Sequence, residues 1–233
     1  MNKIILPVMV LLVSILTHCK SKEDLKTGVV TFLKGEVTLT DQGKKSALKF
    51  GEEVKSGNLI ETGQGGVVIV SFASGESDAE IQSNSKFLIG TYNETQADLS
   101  IETGSVWFRV NQKGKKNFSL TNPTAVAGVR GTKFFTFQID KDTFGTCHCE
   151  GKVHYALLNS DQATDNDRDF MIVVRNGKSI TIEPSEFKEI HPGNTGLHAH
   201  SEIENSNLGK VRSFSPEDRK RLIDRIESKF AKL

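Results

Sequence analysis

Gly28-Val29-Val30-Thr31-Phe32-Leu33-Lys34-Gly35-Glu36-Val37-Thr38-Leu39-Thr40 sets the pattern of most of the chain: two short apolar or alternating runs meet at a glycine. β-Branched and aromatic residues favour a pleated, half-buried strand, and glycine supplies the turn between strands. The pattern repeats at Val67–Phe72, Ser105–Val110 and Lys133–Phe137, with glycines punctuating the intervals at Gly43, Gly51, Gly57, Gly63, Gly75, Gly90, Gly104 and Gly114. Many short strands divided by turn signals predict a mainly β fold, either a β-sandwich or a double-stranded β-helix. No helical period of ten or more residues is expected before about Ser201.

Strand signals weaken in 159–169, where Ser160-Asp161-Gln162-Ala163-Thr164-Asp165-Asn166-Asp167 is nearly all polar and reads as an exposed loop. They resume at Phe170–Arg175, Lys178–Glu183 and Phe187–His191, so 170–200 is expected to add strands to the main unit, 28–158. Asn176-Gly177 is a type I′ hairpin signal between the first two. The segment 201–233 is expected to be helical: Ser215 is a natural N-cap, Pro216 suits the first helical position, and Glu217 and Asp218 place acid in the first turn. Leu222, Ile223, Ile226 and Phe230 then share a face, opposite Lys and Arg. Packing of that face on the β unit is the first expectation, and contact with anionic lipid or a partner the second.

The amino terminus has a different character. Lys3 precedes an apolar run from Ile4 to Leu16, too short for the roughly 20 residues a membrane span needs but suited to a signal peptide. Leu16-Thr17-His18-Cys19, followed at once by charged residues, resembles the lipobox of bacterial lipoproteins. The resemblance implies a signal peptide at 1–18, cleavage before Cys19, acylation of that cysteine, and a charged tether over 19–27. His18 stands where most lipoboxes carry Gly, Ala or Ser; spirochaetal lipoboxes are the looser kind. Acyl chains contribute about 0.8 kcal/mol per buried CH₂, so two or three of them would anchor the chain stably.

At Thr121-Asn122-Pro123-Thr124-Ala125-Val126-Ala127-Gly128-Val129-Arg130-Gly131-Thr132-Lys133-Phe134 the chain resembles the signature of the FecR domain family. Upstream, Gly51–Gly63 resembles the family's double-glycine turn, and Ile101–Val106 a later strand. Glu150-Gly151-Lys152-Val153 resembles its closing segment, so the likeness runs from about Thr27 to Tyr155. Within the motif, Thr124, Ala125, Val126, Ala127, Val129, Arg130, Gly131, Thr132 and Phe134 read as structural: two strands meeting at a constrained corner, with small alanines for close packing. Arg130 is expected to snorkel or pair with an acid. Well-known FecR proteins are transmembrane regulators whose cytoplasmic segment acts on a sigma factor. An apolar segment starting at Ile4 leaves no such segment in this sequence, so that role is not expected.

Three cysteines are present, and with Cys19 assigned to lipid only Cys147 and Cys149 remain, which does not describe a disulfide-built scaffold. Spaced two apart on a strand, they would face one way, and with His198 and His200 they form a candidate tetrahedral set for zinc or, as the other option, haem. The spacing is shorter than in structural zinc motifs and lacks the covalent haem signature. No cofactor is the first expectation. The sequence carries no Gly-x-Ser-x-Gly elbow, phosphate loop or His-Glu-x-x-His pair, and no enzyme is expected. A formal net charge of +1 gives no reason to expect nucleic acid. The function expected from sequence is a membrane-anchored, non-catalytic binding or interaction module of the cell envelope, with an envelope protein or glycan as partner. The alternative is a metal- or haem-binding sensor built on the Cys/His set.

Overall fold

The computed structural model describes residues 28–111, 117–123, 125–157, 163–166, 170–190, 192 and 215–233. The strands in chain order begin with β1 (Gly28–Lys34), β2 (Val37–Asp41), β3 (Lys44–Ala47), β4 (Glu53–Val54) and β5 (Leu59–Thr62). They continue with β6 (Val67–Phe72), β7 (Ser77–Ile81), β8 (Lys86–Tyr92), β9 (Gln96–Val110) and β10 (Asn117–Thr121). The last are β11 (Ala125–Asp140), β12 (Thr143–Leu157), β13 (Ala163–Asn166), β14 (Met171–Arg175) and β15 (Lys178–Ile182). Two helices complete the described chain, α1 (Pro184–Ile190) and α2 (Pro216–Phe230).

Hydrogen bonding links all the strands into one 15-stranded sheet, which doubles over on itself because three long strands serve both halves. The first half of β9 pairs with β8 and, in parallel, with β10; its second half pairs with β7 and β11. Gly104 is the pivot, at φ +87, in the left-handed region that glycine enters without penalty. β11 does the same: Val126–Val129 pair with β10, and Lys133–Gln138 pair with β9. Its register with β12 slips between Arg130 and Lys133. β12 follows suit, pairing with β14 through Thr143–Cys147 and with β13 through Val153–Ala156. The result is a sandwich, with β3, β2, β5, β8, β10 and β13 in one layer, β4, β1, β6, β7, β14 and β15 in the other, and the bent strands in both.

Alternation along each strand fills the space between the layers. Val30, Val70, Ala79, Phe108 and Phe134 come from one layer, and Leu39, Ile60, Phe87, Leu99, Leu120 and Tyr155 from the other. Phe108 is central: Phe134 stacks on it at a centroid distance of 5.2 Å, and Phe118 meets it edge-on at 5.8 Å. A second apolar cluster lies on the outer face of the β14–β15 layer. There Trp107, Phe135, Phe137, Cys147, Met171 and Val173 pack beneath Phe187 and Ile190 of α1 and Leu222 and Ile226 of α2.

The mainly β, sandwich expectation holds, as does the C-terminal helix. Ser215 caps α2 with a capping box: its hydroxyl accepts from the Asp218 amide at 3.0 Å, and Asp218 in turn accepts from the Ser215 amide at 3.3 Å. Asn176 and Gly177 both take positive φ, 49 and 72, as a type I′ turn requires. Two local expectations are corrected. Phe187–His191 was expected as a strand, but Pro184–Ile190 is a helix. Pro184 opens it, the Glu186 carboxylate accepts from the Glu183 amide at 2.9 Å, and Phe187 and Ile190, three apart, share its buried side. Within the expected loop 159–169, Ala163–Asn166 instead form β13 against β12, because Thr164 and Asp165 find partners in Tyr155 and His154. The family motif runs from Thr121, the last residue of β10, into β11, whose register with β12 slips within it.

Candidate binding site

The pairing register lines up one row of outward side chains across the β14–β15 layer: Ile69, Glu80, Trp107, Phe135, Cys147, Met171 and Ile182. The helices cover the row from Trp107 onward. Glu80 lies beyond that cover but is only 6% exposed. Burial raises its carboxyl to about 7, against the opposing pull of the Gln82 amide, whose Nε2 donates to Glu80 Oε1 at 2.7 Å. With its nitrogen committed to Glu80, Gln82 leaves Oε1 buried with no hydrogen-bond partner among the described residues.

A cleft of about 770 Å³ opens beside this pair, between one end of the sandwich and the first turns of α2. Its lining includes Gln82, Ser105, Phe137, Gln138, Arg219 and Ile223. Gln138, 2% exposed, repeats the arrangement of Gln82: its Nε2 donates to the Asp140 carbonyl, and its Oε1 has no partner among the described residues. The Phe137 ring lies over a glycine, since a Cβ on Gly145 would stand well inside contact distance of it. One wall is therefore aromatic and aliphatic, and two buried carbonyl oxygens and a serine stand near it. Arg219 adds an exposed cation at the helix end. The volume lies within the usual range of about 300–1,000 Å³ for ligand sites, and a mostly apolar lining with a few convergent polar groups is their usual composition.

α2 forms the far wall, so its attachment sets the shape of the cleft. Arg175 grips Glu227 through two parallel bonds, Nη1 to Oε2 at 2.8 Å and Nη2 to Oε1 at 2.6 Å, and donates through Nε to Thr143 Oγ1 at 2.7 Å. Its guanidinium also lies 4.8 Å from the Phe230 ring centroid. The Arg175 guanidinium holds the Glu227 carboxyl below the usual range. Burial works against ionisation of Glu186, but Lys229 and Arg225 outweigh it and lower that carboxyl too. Arg175→Ala is expected to cost about 1–2 kcal/mol, since the pair is bidentate but partly exposed. In hydrogen exchange the amides of α2 should speed up while those of β6 and β7 stay slow; equal acceleration in both would contradict this account of the attachment.

The sequence-derived candidates fall elsewhere. Cys147 is buried in the outer apolar cluster, between Phe135 and Met171. Cys149 is the extra residue where β12 slips against β11, between His148 opposite Phe134 and Glu150 opposite Lys133. The Cys149 side chain, His198 and His200 lie outside the described residues, as do Cys19 and the whole of 1–27. Among the described residues no group of three or more His, Cys, Asp or Glu is placed to hold a metal. His154 is paired with Asp165, Nδ1 to Oδ1 at 2.7 Å, and Lys152 joins the same carboxylate at 2.6 Å. In the family motif, Ala127 and Phe134 are buried in the main core and Val126 is half-buried. Thr132, 1% exposed, has no hydrogen-bond partner for its Oγ1 among the described residues. Thr124 and the side chains of Ala125, Val129 and Arg130 lie outside the described residues, and Gly131 is described by its backbone alone.

Sequence reading missed Glu80, Gln82 and Gln138. Asp78-Ala79-Glu80-Ile81-Gln82 alternates polar with apolar, which is what a strand with one face in water looks like. Nothing in that pattern distinguishes a solvated face from a polar patch enclosed by other elements.

The family model for the FecR protein matches residues 58–154, the segment from the start of β5 into β12. Two crystal structures of a candidate anti-sigma factor from Parabacteroides distasonis are similar, each at 19% identity with a TM-score of 0.46. Each match covers 53% of this chain, and the chain spans 58% of the length of those proteins. A structure described as a cell surface anchoring domain matches 26% of this chain and 80% of its own, at 32% identity with a TM-score of 0.25. No curated protein matches the chain. None of the described helices is long and apolar enough to cross a membrane.

Proposed function

We propose, from the FecR family that residues 58–154 match, that this chain is an exported lipoprotein, held to a bacterial membrane through acylated Cys19. Its sandwich then serves as a non-catalytic binding module of the cell envelope. The observation that carries the reading is the conjunction of that family match with Leu16-Thr17-His18-Cys19 at the end of a short apolar run. Polar residues of the tether follow the cysteine directly, as a linker between a lipid anchor and a folded domain requires. The bent-strand sandwich supplies a rigid frame, and the cleft under α2 offers a concave surface to a ligand. An envelope protein or a glycan is the partner class this placement favours. The Cys147 and Cys149 segment belongs to the frame in this reading, and no cofactor is required.

The test is the intact mass of the mature amino terminus, together with detergent phase partitioning of the expressed chain. A mass beginning at Cys19 and carrying acyl chains is expected, with partition into the detergent phase. A chain that keeps Met1, or one cleaved with a free Cys19 thiol, refutes the anchoring. Cys19→Ala should move the protein to the aqueous phase.

A further inference from the structure

Three large apolar side chains stand exposed among the described residues: Phe50 at 74%, Leu233 at 64% and Val29 at 37%. A lone exposed apolar residue is ordinary on a protein surface, so the place of Phe50 matters more than its exposure. Phe50 sits where the chain crosses from β3 in one layer to β4 in the other, at the open edge of the sandwich. The Gly51 amide donates to the Val30 carbonyl at 2.9 Å, and the Val30 amide donates to the Glu52 carbonyl at 3.0 Å, so the crossover is tied to β1. Val29 pairs with Glu53 on the same edge. Gly51 turns at φ +77, and a Cβ there would meet nothing within 4 Å, so the turn borders open space.

β1 is also where the amino-terminal tether enters the sandwich. Cys19 and Gly28 are nine residue steps apart, which span at most about 32 Å when fully extended. A domain on so short a tether stays close to the lipid, and the β1–β4 edge is the part of it nearest the attachment. The opposite edge of that layer, β15, lies seven pairings away, about 34 Å along the sheet at the usual spacing of about 4.8 Å. We propose that Phe50 and its turn dock on the bilayer that holds Cys19, with the β1–β4 edge toward the lipid and the β15 edge turned away. An exposed phenylalanine gains by leaving water for the apolar boundary of the bilayer, and the tether makes that contact intramolecular, at high effective concentration. Its neighbours Lys49, Glu52 and Glu53 carry both signs of charge, so the contact draws on apolar burial and does not need anionic lipid. The inference rests on the reading of the chain as a lipoprotein anchored at Cys19, and names the orientation of the sandwich on its membrane.

The mature acylated chain is placed in phosphatidylcholine vesicles whose acyl chains carry bromine, which quenches indole emission at short range. Trp107, the single native tryptophan, is buried and gives the background. Phe50→Trp is expected to lose emission beyond that background and to shift its emission to the blue. Ser179→Trp, at an exposed position of β15, is expected to lose none. Equal quenching at the two positions, or none at either, overturns the proposal. Phe50→Ser tests the native side chain. Amide exchange across Lys49–Glu52 should be slower in the vesicle-bound parent than in the Cys19→Ala chain free in solution, and Phe50→Ser should abolish that slowing. Slowing that survives the substitution overturns the proposal as well. Flotation with the vesicles separates this inference from the reading beneath it. A chain that floats and shows no excess quenching at position 50 removes the docking alone. A chain that does not float removes the anchoring, and the docking with it.

Discussion

Gly104→Ala is expected to destabilise the protein by about 3 kcal/mol or more and to lower its melting temperature by several degrees. Two costs combine. At φ +87 any residue with a Cβ is held in a conformation that costs about 1–2 kcal/mol. The new methyl would also stand 2.5 Å from Ser85 Cα and inside contact distance of its hydroxyl. Backbone cannot swing away as a long side chain can, and overpacking of that sort costs about 1–3 kcal/mol. Ser85 is itself committed, accepting from the Ser105 amide at 2.9 Å and donating to the Ser105 carbonyl at 3.2 Å. Gly43→Ala is the control: its φ is +79, yet a Cβ there meets nothing within 4 Å, so only the conformational part should appear. Chemical denaturation of both variants checks the difference. Equal losses would mean that the close approach at Ser85 is immaterial.

The second large effect is a dependence on pH centred on Glu80. An unfolded glutamate ionises near 4.5, whereas burial holds this one at about 7 in the folded chain. Between those values the folded state keeps a proton that the unfolded state has released, so stability falls as pH rises. The loss is complete above about 7 and, at roughly 1.36 kcal/mol per pKa unit, amounts to about 3–3.5 kcal/mol. Below about 4.5 both states are protonated and the effect vanishes. Glu80→Gln removes the titrating group while keeping the shape. Its stability relative to the parent should rise from near zero at pH 4 to about 3–3.5 kcal/mol at pH 8, read from denaturation midpoints. A constant difference across that range would show that Glu80 does not titrate between the two states.

How far the sequence discloses the fold depends on whether the information is local. Asn176-Gly177 and Ser215-Pro216 were readable because a turn and a cap are decided by a few adjacent residues and their allowed backbone angles. Val67–Val70 was readable because a strand buried on both faces needs an unbroken apolar run. α1 was misread because Phe187 and Ile190 suit a short strand as well as a single helical turn, and Pro184, which decides between them, lies before the apolar pair. β13 was missed because its stability comes from pairing with Val153–Ala156 of β12 and not from its own polar residues. The length of β9, β11 and β12 was hidden too, since a glycine that ends one strand and a glycine that bends one look the same in sequence. The cleft was least legible of all. It is assembled from β7, β9, β11 and α2, and the enclosure of Gln82 and Gln138 is a property of that assembly.

The strands shared between layers also have a consequence for the order of events in folding. The layer that holds β13 needs Lys152–Leu157 of β12 against β11, and the layer that holds β14 needs Lys133–Gln138 of β11 against β9. Neither can close while the chain upstream of β11 waits alone, so no amino-terminal half is able to reach a stable state first. Pairings of this span pay their loop-closure cost before any contact rewards it, which makes formation slow and all-or-none. A newly made chain would thus stay open until nearly the whole sheet has been delivered. If the chain is exported as proposed, delay of that kind is an advantage that needs no chaperone to impose it.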